Sequence, residues 1–204
     1  MKHPFNPDCD PLYPTGYMPG ARHPKPAPSP RPKKLPVRPV IFLDFDGVLI
    51  PRSSYLPPIK IPGQKAGAHP DCVAALNWLI EQTGARIVVS SSWRLQLASK
   101  KRQHDYLHHL MQLWGVAGRL AGQTPHLSSL SEGGVWMPRP RGAEIQAWLD
   151  QHPEVQQFVI LDDDGDMEHL SPHLARTTFA EGLTMERAAF AYDLMALLPR
   201  RKTA

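Results

Sequence analysis

Three largely apolar runs along the chain each end in a cluster of polar side chains. The runs cover residues 40–43, 85–89 and 157–161, and the clusters that follow them read Asp-Phe-Asp-Gly, Ser-Ser-Ser and Asp-Asp-Asp-Gly-Asp. Unbroken apolar runs of this length, bounded by turn residues, are typical of strands buried on both faces of a parallel sheet. The pattern therefore predicts an α/β fold whose functional residues follow the carboxyl ends of the strands.

Helical spacing of apolar residues fills most of the sequence between these strands. It predicts four helices that cover the sheet, over residues 70–83, 95–113, 141–149 and 185–198. Outside them we expect a proline-rich flap over residues 50–69, an irregular segment over 115–140 and a short strand over 176–179. Neither the segment between Asp46 and Ile87 nor the one between Ser92 and Arg141 has room for a large cap domain.

The first 39 residues differ in composition from the rest of the chain. They hold 12 of the 23 prolines and seven Lys or Arg against two Asp, a net charge of +5 where the whole chain has +4. Such a segment favours an extended polyproline conformation over a packed core. We therefore divide the chain into a basic disordered arm (residues 1–38), a catalytic domain (39–199) and a basic tail (200–204). The arm is interpreted either as a docking segment for a protein partner or as solvated flexible chain.

Cysteine use and hydropathy argue against a disulfide-rich protein, a cysteine-based zinc protein and a membrane-spanning protein. Cys9 and Cys72 give no disulfide framework and no cysteine-based zinc site. No signal-peptide pattern and no run of 18 apolar residues is present, so we expect a cytoplasmic protein with no membrane partner. His104 and His108 have the i, i+4 spacing of a helical metal site. No third ligand shares a motif with them, so an exposed polar face is the preferred interpretation.

The two acidic clusters are the first candidates for chemistry. Asp44 and Asp46 flank a single residue at the end of the first strand, and Gly47 allows a sharp backbone turn there. Asp162 and Asp163 open the second cluster, where like charges demand a counter-cation. Hard oxygen ligands suit Mg²⁺. An Asx-type turn and an acidic surface loop are the structural alternatives, and the downstream glutamate of an EF-hand is missing.

Donors suited to an anion follow the second strand. The hydroxyls of Ser90 and Ser91, together with helix amides, offer such donors, although one serine would suffice to cap a helix. Arg94 is a candidate for a bidentate contact with phosphate, whereas Trp93 is expected to pack. Arg141 stands at the start of a predicted helix, where a cation is unfavourable unless an anion lies nearby.

These motifs, in this order, resemble one superfamily. Asp44 to Val48 resembles motif I of the haloacid dehalogenase-like (HAD) phosphotransferases, Ser90 resembles motif II, and the Asp162-Asp163 pair resembles motif IV. The set DFDGVL, SSSWR, R-x-x-E-I-x-x-W-L, LDDD and EGLT is most similar to the HAD domain of Swiss Army Knife RNA-repair proteins, over about residues 39–198. The resemblance implies a Rossmann-like three-layer sandwich with a mainly parallel sheet and no large cap domain.

The resemblance also implies a role for each motif residue. Asp44 would attack phosphorus and become an aspartyl phosphate, and Asp46 would act as general acid and then as general base. Mg²⁺ would be held by Asp44, the Asp46 backbone carbonyl and Asp163, with Asp162 or Asp166 in support.

Phosphate-binding residues follow from the same resemblance. Ser90 would donate to a phosphoryl oxygen, with Ser91 and Arg94 as further candidates. The motif III cation is usually a lysine, and none is well placed here. Arg141 is the first candidate for that cation and Arg139 the second.

We therefore expect a Mg²⁺-dependent phosphomonoesterase, a hydrolase, with terminal phosphates of RNA or DNA as the leading substrate class. In this family, members without a cap tend to act on macromolecular ends. A small-molecule or nucleotide phosphatase is one alternative, and a non-catalytic adaptor that uses the proline-rich arm is another. Residues 40–199 carry 13 Lys or Arg against 17 Asp or Glu. Binding of a polyanion must therefore depend on local basic patches or on the basic termini.

Overall fold

The structure is a computed structural model, and it describes residues 39–55, 67–95, 100–130 and 136–201. The predicted arm, residues 1–38, lies outside the described residues, and so do residues 56–66 of the predicted flap and 202–204 of the predicted tail. In the described part of the chain, no helix is long and apolar enough to span a membrane.

The described chain forms seven strands, of which five make one sheet. In chain order the strands are β1 (Val40–Leu43), β2 (Arg86–Val89), β3 (Leu120–Gln123), β4 (Ser128–Leu130), β5 (Trp136–Pro138), β6 (Phe158–Asp162) and β7 (Leu174–Arg176). The main sheet has the order β3–β2–β1–β6–β7 and every neighbouring pair in it is parallel. Strands β4 and β5 form a separate antiparallel pair. Strand β1 is central, so other strand ends flank its carboxyl end on both sides.

Four α-helices connect and cover the strands. They are α1 (Pro70–Thr83), α2 (Lys100–Leu113), α3 (Arg141–Asp150) and α4 (Met185–Leu197). Short 3₁₀ helices lie at Arg52–Tyr55, Ser92–Leu95 and Glu168–His173. Helix α1 has proline in its first turn and ends at Gly84, whose φ of +67° is the left-handed conformation that glycine adopts without strain.

The alternation of side chains along the strands divides the core into two layers. Ile41 and Leu43 pack on one face of the sheet with apolar residues of α1, α2 and α4. Val40 and Phe42 pack on the other face with Ile145 and its neighbours on α3. Burying each such side chain contributes about 1.5–3 kcal/mol. The predicted three-layer α/β sandwich with a parallel sheet is therefore confirmed.

Three local predictions were wrong. Residues 115–140 were expected to be irregular, yet they contain β3, β4 and β5. Strand β3 was missed because it is a half-buried edge strand without an apolar run. The last sheet strand is Leu174–Arg176 rather than 176–179. Directly after it, the Thr177 hydroxyl donates to the carbonyl of Gly47 in the segment that follows β1. The helix expected from residue 95 begins at Lys100, after a separate 3₁₀ helix.

Candidate active site

The carboxyl ends of β1, β2 and β6 meet at one edge of the sheet. Leu43, the last residue of β1, pairs with Val89 of β2 and with Leu161 of β6. The backbone N–H of Asp44 donates to the Leu161 carbonyl at 3.0 Å, and that of Ser90 donates to the Leu43 carbonyl at 2.8 Å. Parallel register therefore brings residues that are far apart in the sequence to the same site.

Three carboxylates gather at this edge. Asp44, Asp162 and Asp163 each offer a carboxylate oxygen, and these oxygens lie within 4.8 Å of one another. Oδ1 of Asp162 accepts a hydrogen bond from the backbone N–H of Asp164 at 2.9 Å, whereas its Oδ2 has no hydrogen-bond partner among the described residues. Such a buried set of hard oxygen ligands, with one oxygen unsatisfied, fits a small divalent cation such as Mg²⁺. The side chain of Asp46 does not belong to this cluster.

Arg141 supplies the positive charge next to the carboxylates. It is the first residue of α3, and its Nη2 lies 3.5 Å from Oδ2 of Asp44 while its Nε lies 3.5 Å from Oδ2 of Asp162. The sequence predicted an anion near Arg141. The carboxylates of Asp44 and Asp162 are anions at that position. Arg139, the second candidate, is exposed, and within the described ranges its side chain forms no ion pair with these carboxylates.

Asp166 holds the start of α3. Its Oδ2 accepts a hydrogen bond from the backbone N–H of Arg141 at 2.8 Å, and its carbonyl accepts one from Gly142 at 3.1 Å. A carboxylate at a helix N-terminus satisfies free N–H groups and interacts favourably with the helix dipole. A Cβ atom at Gly142 would lie 2.3 Å from the carbonyl oxygen of Met167, so this close approach requires glycine. Asp166 thus places Arg141, and its predicted supporting role at a metal stays a prediction.

The two predicted serines lie beside Asp44. Ser90 is 1% exposed, and its Oγ has no hydrogen-bond partner among the described residues. Ser91 is fully buried, and its side chain hydrogen-bonds to Asp44. A buried hydroxyl without a partner is costly, so the Ser90 hydroxyl is available for a ligand in this site.

Arg94 is buried and bound to Glu144. Its side chain is 2% exposed, and its guanidinium donates to the Glu144 carboxylate, to the Ser91 carbonyl at 2.6 Å and to the Pro125 carbonyl at 3.4 Å. Glu144 also accepts a hydrogen bond from the backbone N–H of Leu127 at 2.9 Å. These contacts engage both Nη atoms and join the segment after β2 to helix α3, whereas the Nε has no hydrogen-bond partner among the described residues. A direct contact of Arg94 with phosphate stays a prediction.

Two side chains that the sequence did not reveal hold Asp46. The Tyr55 hydroxyl donates to its Oδ1 at 2.7 Å, and the Trp93 Nε1–H donates to its Oδ2 at 2.8 Å. Trp93 also packs edge-on against Phe45 and Trp114, as expected for a packing residue. Burial and the Asp46 carboxylate raise the pKa of the Tyr55 phenol, so it stays a donor. Both oxygens of Asp46 are thereby fixed in direction.

Gly47 lets the backbone after Asp46 approach the carboxylate cluster. Its φ is +70°, and a Cβ atom there would lie 2.1 Å from the carboxylate of Asp163. Its carbonyl accepts a hydrogen bond from the Thr177 hydroxyl at 2.7 Å. Glycine is required at this position both by its conformation and by the space available.

The chain that carries this site matches a known protein family. A family model described as the HAD domain in Swiss Army Knife RNA repair proteins matches residues 40–188, which is most of the chain. The chain belongs to this family. No curated protein matches it at a significant level. The match confirms the resemblance that the motifs carried and makes the protein, in general terms, a hydrolase of the phosphatase type.

Burial raises the pKa values of the acidic cluster in this HAD domain. It raises the pKa of Asp44 to about 6, against the opposing effects of the Arg141 charge and the Ser91 hydrogen bond. It raises the pKa of Asp162 to about 8, and the negative charge of Asp44 adds to this effect. The pKa of Asp163 is also raised by burial. Without a cation, the cluster therefore retains a proton near neutral pH.

The ion pair between Arg94 and Glu144 leads to a prediction about stability. Arg94→Met leaves the Glu144 carboxylate buried without its cation, so it should lower the free energy of unfolding by about 3–5 kcal/mol. The double variant Arg94→Met/Glu144→Leu removes both charges and should be more stable than Arg94→Met alone. Urea unfolding measures all three proteins, with Arg102→Met at an exposed position of α2 as the matched control. A double variant less stable than Arg94→Met would contradict this account.

The raised pKa of Asp162 predicts a pH dependence of stability. With EDTA present, the folded protein keeps this proton up to about pH 8, whereas the unfolded chain loses it near the ordinary aspartate pKa of 3.8. The unfolded state thus binds fewer protons between these values, so the free energy of unfolding falls as pH rises. Asp162→Asn has no proton to lose, and its stability relative to wild type should rise from pH 5 to pH 8 by at most about 1.4 kcal/mol per pH unit.

Thermal and urea unfolding of the wild type and Asp162→Asn at several pH values measure this difference. The relevant quantity is the change in the difference between the two proteins, because other groups titrate in both of them. A stability of Asp162→Asn relative to wild type that stays constant or falls from pH 5 to pH 8 would show that the Asp162 carboxyl is ionised in the folded, metal-free protein.

Proposed function

We propose that the protein is a Mg²⁺-dependent phosphomonoesterase in which Asp44 is the nucleophile. The observation that carries this proposal is the position of Asp44 at the end of the central strand. Its Oδ1 accepts a hydrogen bond from the Phe45 backbone N–H at 2.7 Å, while its Oδ2 faces Arg141. One oxygen is thus held by the backbone, and the other lies among the groups that suit a phosphoryl group.

The residues that would hold the metal ion are Asp44, Asp163 and the backbone carbonyl of Asp46, with Asp162 beside them. The mutual distances of the three carboxylates support this set, as does the unsatisfied Oδ2 of Asp162. A bound Mg²⁺ would offset the repulsion between the Asp44 carboxylate and the negative charge of the phosphate.

The reaction then has two displacements at phosphorus. An oxygen of Asp44 forms a bond to phosphorus, the bond to the leaving oxygen breaks, and Asp46 gives that oxygen a proton. In the second step Asp46 takes a proton from water, the water oxygen attacks phosphorus, and inorganic phosphate leaves Asp44 free again. Splitting the hydrolysis in this way replaces one difficult displacement by two easier ones.

Groups around Asp44 would bind the phosphoryl oxygens. The free hydroxyl of Ser90 supplies a donor, and Arg141 supplies a positive charge. The Ser91 hydroxyl, which donates to Asp44, would exchange that partner for a phosphoryl oxygen. Preorganised donors of this kind stabilise the charge that develops in the transition state. Arg141 has neighbours that already fix its position, so it needs little rearrangement when the substrate enters.

Tyr55 and Trp93 would orient Asp46 for its two roles. Because both oxygens of Asp46 now accept hydrogen bonds, one of them must exchange its donor for the leaving oxygen when Asp46 donates a proton. Tyr55 lies on the short 3₁₀ helix after β1, so its hydroxyl is the more readily displaced donor of the two. Trp93 is held by aromatic packing on two sides.

Terminal phosphates of RNA or DNA are the proposed substrates. The family is described from RNA-repair proteins, which supports this choice. In the described ranges, the additions to the sheet and its helices near the site are the Arg52–Tyr55 turn and the β4–β5 pair, and both are small. A small-molecule phosphatase remains the second candidate, because the same carboxylate geometry would serve it.

Phosphate release tests the proposed function. The substrates are an aryl phosphate and single-stranded oligonucleotides phosphorylated at the 5′ or the 3′ end, each with Mg²⁺ or with EDTA. We expect release that requires Mg²⁺ and falls at least about 10³-fold in Asp44→Asn, because an amide is a poor nucleophile. Asp193→Asn, at an exposed position of α4, is the matched control and should behave as wild type.

Release by the Asp44→Asn variant at the wild-type rate would contradict the proposed nucleophile. Equal kcat/KM values on a mononucleotide and on an oligonucleotide would support a small-molecule phosphatase instead.

A further inference from the structure

An open cleft of about 500 Å³ begins at Asp163, next to the carboxylate cluster. The residues that line it come from the position after β6, the end of β7 with the segment that follows it, and the first turn of α4, namely Asp163, Arg176, Thr177, Thr178, Phe179 and Arg187. The segment after β7 also carries Thr177, whose hydroxyl binds the Gly47 carbonyl. The cleft is thus joined directly to the backbone that follows Asp46.

Two arginines give the cleft a positive charge. The Nε–H of Arg176 donates to the carbonyl of Asp163 at 3.0 Å, which holds its guanidinium beside the segment that follows β6. Arg187 is exposed, and its guanidinium lies 5.5 Å from the centre of the Phe190 ring, which holds the side chain in place. Within the described ranges, neither arginine forms an ion pair with a carboxylate. Neither charge is therefore neutralised by a paired carboxylate, although the charge of Arg176 also acts on the nearby Asp163, where burial raises the pKa of the carboxyl and Arg176 opposes that rise.

Two exposed aromatic rings lie at the same place. Phe179 is 40% exposed and Tyr55 is 39% exposed, and their ring centres are 5.7 Å apart. The backbone N–H of Arg52 donates to the Phe179 carbonyl at 2.7 Å, which ties the two segments together. The Tyr55 hydroxyl meanwhile binds Asp46, so one aromatic side chain reaches from the cleft to the acid–base residue.

We propose that this cleft binds the nucleotides next to the terminal phosphate of a single-stranded polynucleotide. Bases stack on Phe179 and Tyr55, and Arg176 and Arg187 contact backbone phosphates. Exposed aromatic faces beside unpaired arginines suit this ligand, because every nucleotide offers a flat base and a negative charge. This inference rests on the proposed function, and it names where the polymer beyond the reacting phosphate lies.

Glu181 and Glu186 limit the path of the strand. Together with Arg176 and Arg187 they line a smaller pocket on the α4 side, where Glu181 accepts a hydrogen bond from the Thr178 hydroxyl at 3.3 Å. The negative charges of the two glutamates disfavour phosphate there. Asp163 is acidic too, but a Mg²⁺ ion bound there would offset its charge, so the strand should run along the Asp163 side of Phe179, towards the site.

Binding of a labelled oligonucleotide tests the proposal. Fluorescence anisotropy is measured with full-length Asp44→Asn protein, a single-stranded oligonucleotide with a terminal phosphate, and Mg²⁺, over a range of salt concentrations. Phe179→Ala should weaken binding about tenfold at every salt concentration, since stacking on one ring is worth about 1–3 kcal/mol. Phe179→Tyr keeps an aromatic face and should retain the affinity.

Arg187→Ala gives a different signature. It should weaken binding and reduce the slope of log K against log salt concentration by about 0.7, the value for one phosphate contact with a single strand. Phe179→Ala should leave that slope unchanged. Arg102→Ala, at an exposed position of α2, is the matched control for a lost surface charge and should change neither quantity. Basic residues outside the cleft contribute equally to every variant.

Unchanged affinity in both Phe179→Ala and Arg187→Ala would overturn the proposal, and so would an equal loss in Arg102→Ala. A phosphopeptide that depends on Phe179 as strongly as the oligonucleotide does would contradict the choice of nucleic acid. Phosphate release from an aryl phosphate, measured with Asp44 intact, separates the two claims. Release from the aryl phosphate, together with an unchanged oligonucleotide affinity in Phe179→Ala and Arg187→Ala, leaves the proposed phosphatase standing and removes the strand site.

Discussion

Repulsion among the carboxylates of Asp44, Asp162 and Asp163 is the constraint on which the rest of this structure depends. A parallel sheet brings these residues together at the ends of adjacent strands, in surroundings that raise their pKa values. Three buried like charges are unstable unless positive charge or protons compensate them. Arg141 offers one positive charge, and a divalent cation fits the remainder.

Helix α3 provides much of this compensation. Its first residue, Arg141, faces the carboxylates, and Asp166 holds the backbone at that point. One turn later Glu144 binds Arg94, whose guanidinium also reaches the carbonyl of Ser91. A single helix thus connects the acidic cluster with the serine segment, because residues three positions apart lie on the same side of a helix.

The fold and the carboxylates could be predicted from sequence because both follow from local patterns. Apolar runs located β1, β2 and β6, and the residues directly after them are Asp44, Ser90 and, at the end of β6, Asp162. The edge strand β3 could not be found in this way, since its residues are only partly buried and include Gly122.

The partners of the predicted residues could not be read from the sequence. Trp93 binds the side chain of Asp46 across 47 positions, and Glu144 binds that of Arg94 across 50. Such contacts depend on how the segments pack, which no local pattern encodes. For the same reason the place of Arg94 after β2 indicated a phosphate ligand but did not reveal that its guanidinium is buried against Glu144.

The most direct test of this account is to look for the covalent intermediate on Asp44. The enzyme is quenched in acid during turnover of a phosphorylated substrate and treated with borohydride, which reduces an acyl phosphate to an alcohol, and its peptides are analysed by mass spectrometry. The account predicts homoserine at position 44 and at no other aspartate, in a fraction that depends on substrate. Phosphate release with unmodified Asp44 in every quenched sample, or with homoserine at another aspartate, would contradict it.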